Sequence, residues 1–186
     1  MKVIYLHHQE NELIKLATEN NRQAQQQIYT HFSPKMLGVC RQYIKDIHQA
    51  EDIMITAFMK VFVNIKNFEN KGSFEGWIRR IMVNECISFI RVQKKIKYVE
   101  DETYFEESFN NIESQFSTDD IQSLIDSLPD GYKTVFNLYA IEGFKHKEIA
   151  SMLEINEGTS KSQLSHARKM LQIQINKLKN YEYGTE

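Results

Sequence analysis

The chain has 186 residues, 41% of them hydrophobic and 26% charged, with a formal net charge of −2; it is too apolar to be fully disordered and long enough for one large domain or two small ones. No run of about 18 apolar residues suggests a transmembrane helix, and the start, Met1-Lys-Val-Ile-Tyr-Leu-His-His8, lacks a signal peptide's apolar stretch, so the expected location is the cytoplasm. Only two cysteines, Cys40 and Cys86, rule out a disulfide scaffold, and 7 Gly with 2 Pro disfavour a turn-rich β fold.

Residues 9–97 read as helices. Leu13, Ile14, Leu16 and Ala17 form a short apolar stripe. Ala24, Ile28, Phe32, Met36, Val39, Tyr43 and Ile44 continue at three- and four-residue spacing, with Pro34 signalling a kink or a new helix start. Asp46 or His48 starts the next helix, in which Ile53, Met54, Ala57, Phe58, Val61, Phe62 and Ile65 recur with helical period. A polar loop from Lys66 to Ser73 follows, and Ser73 suits the N-cap of a helix running from about Phe74 to Lys95. On that helix Ile78, Met82, Cys86 and Phe89 share one sector, with Arg80, Asn84, Ser88, Arg91 and Lys95 roughly opposite. Residues 98–118 show no steady period and read as an acidic linker. Helices resume over about 120–127, from Pro129 to about Glu142, and over 145–153 and 158–179. The expected fold is all-α: two helical domains, 9–97 and 119–180, on a flexible acidic tether. At about 3.3 Å per extended residue such a tether spans tens of ångströms.

The small net charge conceals segregation. Arg79–Lys97 carries six basic residues and one acid, Glu85; Glu100–Asp130 carries ten acids and no Lys or Arg; Gly158–Asn180 carries five basic residues and no acid. Two cationic segments around an anionic one suit a polyanion gripped at two places.

The stretch His146–Leu171 shows how. Ile149, Ala150 and Leu153 make one apolar stripe, Ile155 sits in a short turn, and Leu164, Ala167 and Leu171 make the next. This is the pattern of a helix-turn-helix, whose second helix enters a DNA major groove. With that stripe inward, a step of about 100° per residue puts Thr159, Ser162, His166 and Lys169 outward, flanked by Gln163 and Ser165. Short hydroxyls, an amide and cations read base edges or clamp phosphates. Before the basic helix of the first domain, Asn67, Phe68, Asn70, Lys71, Ser73 and Phe74 combine amides with aromatic rings, a set suited to unstacked single-stranded bases. Taken alone, Phe68, Phe74 and Trp77 read better as core residues than as base-binding ones. Catalysis is not expected. None of the six histidines lies in a helical metal pair, Gly143 separates Glu142 from His146, and neither a glycine-rich phosphate loop nor a nucleophile elbow occurs. No metal or other cofactor is expected, and the cysteines are too far apart in sequence to signal a redox switch.

These motifs together resemble the extracytoplasmic-function class of bacterial RNA polymerase sigma factors, of the sigma-70 family. Residues 12–46 resemble the first part of its region 2. Ala50-Glu-Asp-Ile-Met54 and Phe58-Met-Lys-Val-Phe62 resemble the helix that docks on the polymerase clamp, and Gly72-Ser-Phe-Glu-Gly-Trp-Ile-Arg-Arg-Ile81 the segment that opens the −10 element. Leu128-Pro129, Glu142-Gly143, Glu148-Ile-Ala150 and Gly158-Thr-Ser-Lys-Ser162 resemble region 4, which binds the −35 element.

The resemblance implies a promoter-recognition subunit without catalytic chemistry of its own. Its partners would be core RNA polymerase (clamp and flap regions), promoter DNA both double-stranded and melted, and an anti-sigma factor, without membrane insertion. Asp52, Ile55, Thr56 and Met59 would face the clamp. Asn67, Phe68, Asn70, Lys71, Ser73 and Phe74 would capture a flipped −10 base, while Arg79, Arg80 and Asn84 stabilise the melted strand. Thr159, Lys161, Ser162, Gln163, Ser165, His166 and Lys169 would meet the −35 duplex. Where the family commonly has Gln-Glu this chain has Ile55-Thr56, and Gln163 and His166 replace basic residues, which implies altered base preference and salt dependence. The acids of Glu100–Glu113 fit either a solvated tether or a segment lying in the polymerase's nucleic-acid channel. The alternative from another class is a regulator that binds DNA unaided, with residues 1–97 serving dimerisation or effector sensing.

Overall fold

The computed structural model describes the backbone of residues 2–100 and 118–183 and the side chains of 10–93 and 122–176. Among these the regular elements are all helical. The chain divides into two units, residues 1–93 and 94–186. The first is built from α1 (Lys2–Thr18), α2 (Arg22–Arg41), α3 (Ile47–Asn64), a 3-10 turn (Ile65–Asn67) and α4 (Phe74–Glu100), whose last turns pass beyond it. The second contains α5 (Thr118–Asp126), α6 (Asp130–Phe136), a π-helical turn (Asn137–Ile141), α7 (His146–Leu153) and α8 (Glu157–Tyr183). Residues 98–100 are thus the end of α4. The remainder of the sequence-predicted linker, apart from Thr118, lies outside the described residues, as do nearly all the acids of Glu100–Glu113.

In the first unit short polar side chains set where helices begin. The carboxamide of Asn21 accepts from the amides of Gln23 and Ala24 at 3.0 and 3.1 Å, Asp46 accepts from Gln49 N–H at 2.8 Å, and Ser73 Oγ accepts from Gly76 N–H at 3.1 Å; each satisfies amides that a first turn leaves open. Asn20, at φ 63°, reverses the chain between α1 and α2 in a conformation that asparagine tolerates. Pro34 does not start a helix: α2 continues through it. An interior proline costs a helix about 3 kcal/mol, and here burial of Ile28, Phe32, Met36, Val39 and Cys40 on the same helix offsets it. Their stripe meets Ile53, Met54, Ala57, Phe58 and Val61 of α3 and Phe74, Ile78, Met82, Val83 and Ile87 of α4 in one core.

Contacts between distant residues fix α4 in this unit. Lys35 Nζ pairs with Glu75 at 2.5 Å and Lys60 Nζ with Glu85 at 2.6 Å. Glu85, the one acid in the basic stretch, is therefore neutralised from α3. Cys40 of α2 and Cys86 of α4 are fully buried, and their thiols share a hydrogen bond although the residues lie far apart in sequence. That bond, reinforced by burial, pushes the Cys86 thiol well above the ordinary thiol range.

The second unit is organised around α8, against which α5, α6 and α7 pack. Leu124, Leu128, Val135, Leu138, Ile149, Leu164 and Ala167 are buried in it. Lys133 is buried with them, 1% exposed, its Nζ 3.6 Å from Asp126 Oδ1 and without a hydrogen bond among the described residues. Removing the partner strands a buried charge, whereas replacing the lysine with an apolar side chain of similar length removes the desolvation cost. Asp126→Ala is therefore expected to destabilise the unit by about 2 kcal/mol, less than for a fully buried pair because Asp126 is half-exposed. Lys133→Met should unfold at the same or higher denaturant concentration. Urea unfolding followed by far-UV circular dichroism compares the two, and the reverse ranking would contradict this account.

Candidate nucleic-acid interface

Three surfaces gather the residues that the sequence singles out. The first is a face of α3. Asp52, Ile55, Thr56 and Met59 are all exposed, and Val63 extends the row by one turn. Ile55, Met59 and Val63 are 50%, 65% and 76% exposed, a row of large apolar side chains at four-residue spacing left uncovered on a helix whose other face is core. Isolated exposed apolar residues are ordinary, but an aligned row marks a contact surface.

The second surface is the loop before α4 and the outer face of that helix. Asn67, Asn70, Lys71 and Ser73 are exposed; Asn70 has φ 56° and Gly72 φ 117°, so the loop doubles back on itself. Lys71 Nζ pairs with Glu69 at 2.6 Å. The three rings form one cluster: Phe68 lies 5.1 Å from Phe74 and 5.6 Å from Trp77, and Phe74 stacks on Trp77 at 5.8 Å. Their roles differ. Phe74 is 1% exposed and also meets Phe32 edge-on at 5.8 Å, so its ring cannot receive a base from solvent and instead forms the floor of the loop. Phe68 and Trp77 are half-buried, so both are more open to solvent than Phe74. Its spacing gives Phe74 away: Phe74, Ile78 and Met82 fall four apart on the inward stripe. Along α4, Arg80 and Asn84 are exposed, Ser88 and Arg91 half-buried, and Lys95 lies outside the described side chains. Arg79 is half-buried, its Nη2 3.4 Å from Gln42 Oε1 at the end of α2, so it braces the helix as well as carrying charge.

The third surface is α8, set by a helix-turn-helix. Gly143, at φ 76°, ends the preceding helical stretch. α7 starts where the Glu148 carboxylate turns back to accept from Lys145 N–H at 2.8 Å, and it ends at Glu154, whose φ of 55° turns the chain toward α8. Leu164 and Ala167 point inward while Ser162, Ser165, His166 and Lys169 are exposed. Thr159 and Gln163 are half-buried at the edges. Lys161 is exposed and pairs with Glu157 one turn earlier at 2.7 Å; that hydrogen bond holds the Glu157 carboxyl below its usual range. The charge of Lys161 is thus shared within α8 until a stronger anion competes.

Four residues to which the sequence pattern assigns no contact with DNA hold this surface in place. His146 Nδ1 lies 3.0 Å from the hydroxyl of Ser160, which is fully buried. The His146 ring stacks on Tyr139 at 4.6 Å, and the Arg168 guanidinium lies 5.5 Å from the centre of the same tyrosine ring. One polar and aromatic chain thus joins the π-turn, α7 and α8. Ser160 was within reach of a helical wheel, since it precedes Leu164 by one turn; nothing in the spacing announces His146, Tyr139 or Arg168.

Among the described residues no group of three His, Cys, Asp or Glu could hold a metal ion, and no helix is long and apolar enough to cross a membrane. The family profile for Sigma-70 region 2 matches residues 28–96, and that for Sigma-70, region 4 matches residues 118–171. RNA polymerase sigma factor SigV of Bacillus subtilis is 33% identical over 135 residues, covering 73% of this chain and 81% of that protein. ECF RNA polymerase sigma factor SigW of the same organism is 30% identical over 180 residues, 89% of this chain and 96% of its own. In fold, the chain resembles the sigma factor RpoE solved with the anti-sigma factor NepR from Bartonella quintana, with TM-score 0.50 and 21% identity, over 81% of this chain and 96% of that one. Two profiles in family order, with relatives that match over most of their length, establish that this chain belongs to the sigma-70 family of RNA polymerase sigma factors, in its extracytoplasmic-function group.

Proposed function

We propose that this chain recruits core RNA polymerase through the exposed face of α3, holds the melted −10 strand with the α4 loop and helix, and reads the −35 duplex with α8. The observation that carries the reading is α8 itself: its buried side is consumed by α6 and α7, while hydroxyls, an imidazole and a lysine are left outward, the one acid among its described side chains, Glu157, lying in the first turn and paired with Lys161. The chemistry of RNA synthesis belongs to the polymerase; this chain supplies binding and orientation, and needs no cofactor. Its place of action is then the cytoplasm. An anti-sigma factor is the partner proposed for the free chain, since the Ile55–Met59–Val63 row calls for cover when polymerase is absent.

Run-off transcription tests the reading. Transcripts should appear only when core polymerase and this chain are combined, and the free protein should bind promoter DNA weakly. Tight dimeric binding to a palindrome without polymerase would instead identify a self-sufficient regulator. Within the same assay Lys169→Gln should weaken promoter use about equally for every −35 sequence and lower the salt slope by about one, as expected for a phosphate contact. A change in base preference would reassign Lys169 to direct readout.

A further inference from the structure

The outward face of α8 leans on the beginning of α6. The Gln163 carboxamide lies over Gly131, where a methyl group would sit 3.6 Å from its Nε2. One turn further along α8, the His166 imidazole stacks on the ring of Tyr132, centroids 5.6 Å apart and planes 19° from parallel. Two adjacent residues of α6 therefore underlie two residues spaced one turn apart on the recognition face. His166 is exposed and Tyr132 half-buried, so the tyrosine is the better anchored member. An exposed imidazole otherwise exchanges among rotamers, and fixing it before DNA arrives reduces the entropy lost on binding. Ser162, by comparison, sends its hydroxyl back to the Thr159 carbonyl at 3.0 Å and borrows nothing from another helix there.

We infer that Tyr132 is a positioning residue for promoter recognition: its ring holds the His166 imidazole in one orientation toward the −35 duplex, so that a residue of α6 sets the base preference of α8. The inference rests on the reading that α8 meets the −35 element. Because the stack needs the ring and not the phenol hydroxyl, phenylalanine should serve in place of tyrosine and an aliphatic side chain should not.

The test is transcription by the reconstituted holoenzyme on a promoter set in which each −35 base pair is replaced in turn, using the full-length variants Y132F, Y132A, Y132L, H166A and Y132A/H166A. His166→Ala should lower transcription from the preferred promoter about tenfold, the size of one lost base contact, and flatten discrimination at the position it touches. Tyr132→Ala should flatten the same position by about three- to tenfold, Tyr132→Phe should leave it unchanged, and the double variant should be no worse than His166→Ala alone. If Tyr132→Ala fails to fold, as thermal unfolding will reveal, Tyr132→Leu fills the space without the stack and is read in its place. A Tyr132 variant that lowers all promoters alike, or whose loss adds to that of His166→Ala, overturns the positioning role while leaving the α8 reading intact. A His166→Ala variant with an unaltered base profile overturns the reading of His166 itself, and the inference with it.

Discussion

Met59→Asp is expected to separate this chain from core RNA polymerase without unfolding it. Met59 is 65% exposed and lies between Ile55 and Val63 on the uncovered face of α3, so a carboxylate there stays hydrated in the free protein. Folding stability should move by no more than about 0.5 kcal/mol, as for most surface changes. In the complex the same carboxylate would be buried against an apolar contact without a partner. A central interface residue of this kind costs about 2 kcal/mol or more, which weakens binding about thirtyfold. Ile55→Asp should behave alike, and Val63→Asp, at the end of the row, less severely. Co-elution with core polymerase and titration of labelled protein measure the loss, with thermal unfolding as the control. Wild-type affinity in Met59→Asp would remove α3 from the proposed polymerase contact.

The largest stability effect is expected at Phe74. Its ring is closed in by Phe32, Phe68 and Trp77 at 5.1 to 5.8 Å and is 1% exposed. Truncating a buried phenylalanine to alanine costs about 3–5 kcal/mol, a large part of the total stability of a domain. Trp77 is the only tryptophan in the chain, so its fluorescence during urea unfolding reports this unit alone. Phe74→Ala should shift that transition strongly and Phe74→Leu much less, because leucine refills most of the volume. Promoter opening should fall with Phe74→Ala, through collapse of the loop above it and not through loss of a base contact. A loss below about 1 kcal/mol would contradict the assigned burial.

The helical periods of α2, α3 and α4 were legible because each is a one-dimensional signal: every residue from Ala24 to Ile44 assigned to the first long stripe is buried. The helix starts at Ser73 and near Asp46 were legible for the same reason, since a cap acts within three residues. Pro34 misled as a possible helix start, because its local penalty is visible in sequence while the core that outweighs it is not. Residues that face one another across helices were hidden. Cys40 beside Cys86, Lys133 buried beside Asp126, and Tyr132 beneath His166 depend on which helix meets which, and no period encodes that. At the candidate sites, the wheel places Thr159, Ser162, His166 and Lys169 outward; the last three are exposed, whereas Thr159 is half-buried at the start of α8. Of the two flanking residues, Ser165 is exposed and Gln163 is half-buried against α6, a contact that the wheel does not show. Phe74 was grouped with the loop because it adjoins polar residues, although its spacing from Ile78 and Met82 belongs to the core.

The π-turn at Asn137–Ile141 closes through Glu142 N–H to the Asn137 carbonyl at 3.0 Å, one residue more per loop than an α-helix uses. Excising a single residue ahead of Tyr139 would let the segment rewind as ordinary helix and turn the side chains between the cut and the end of the turn by about 100°. Tyr139 would swing away from His146, and the strut linking the turn to Ser160 and Arg168 would lose its middle. That surplus amino acid works as a fixed wedge, and the pitch at which the second unit offers its two short-linked helices is written into the length of the chain.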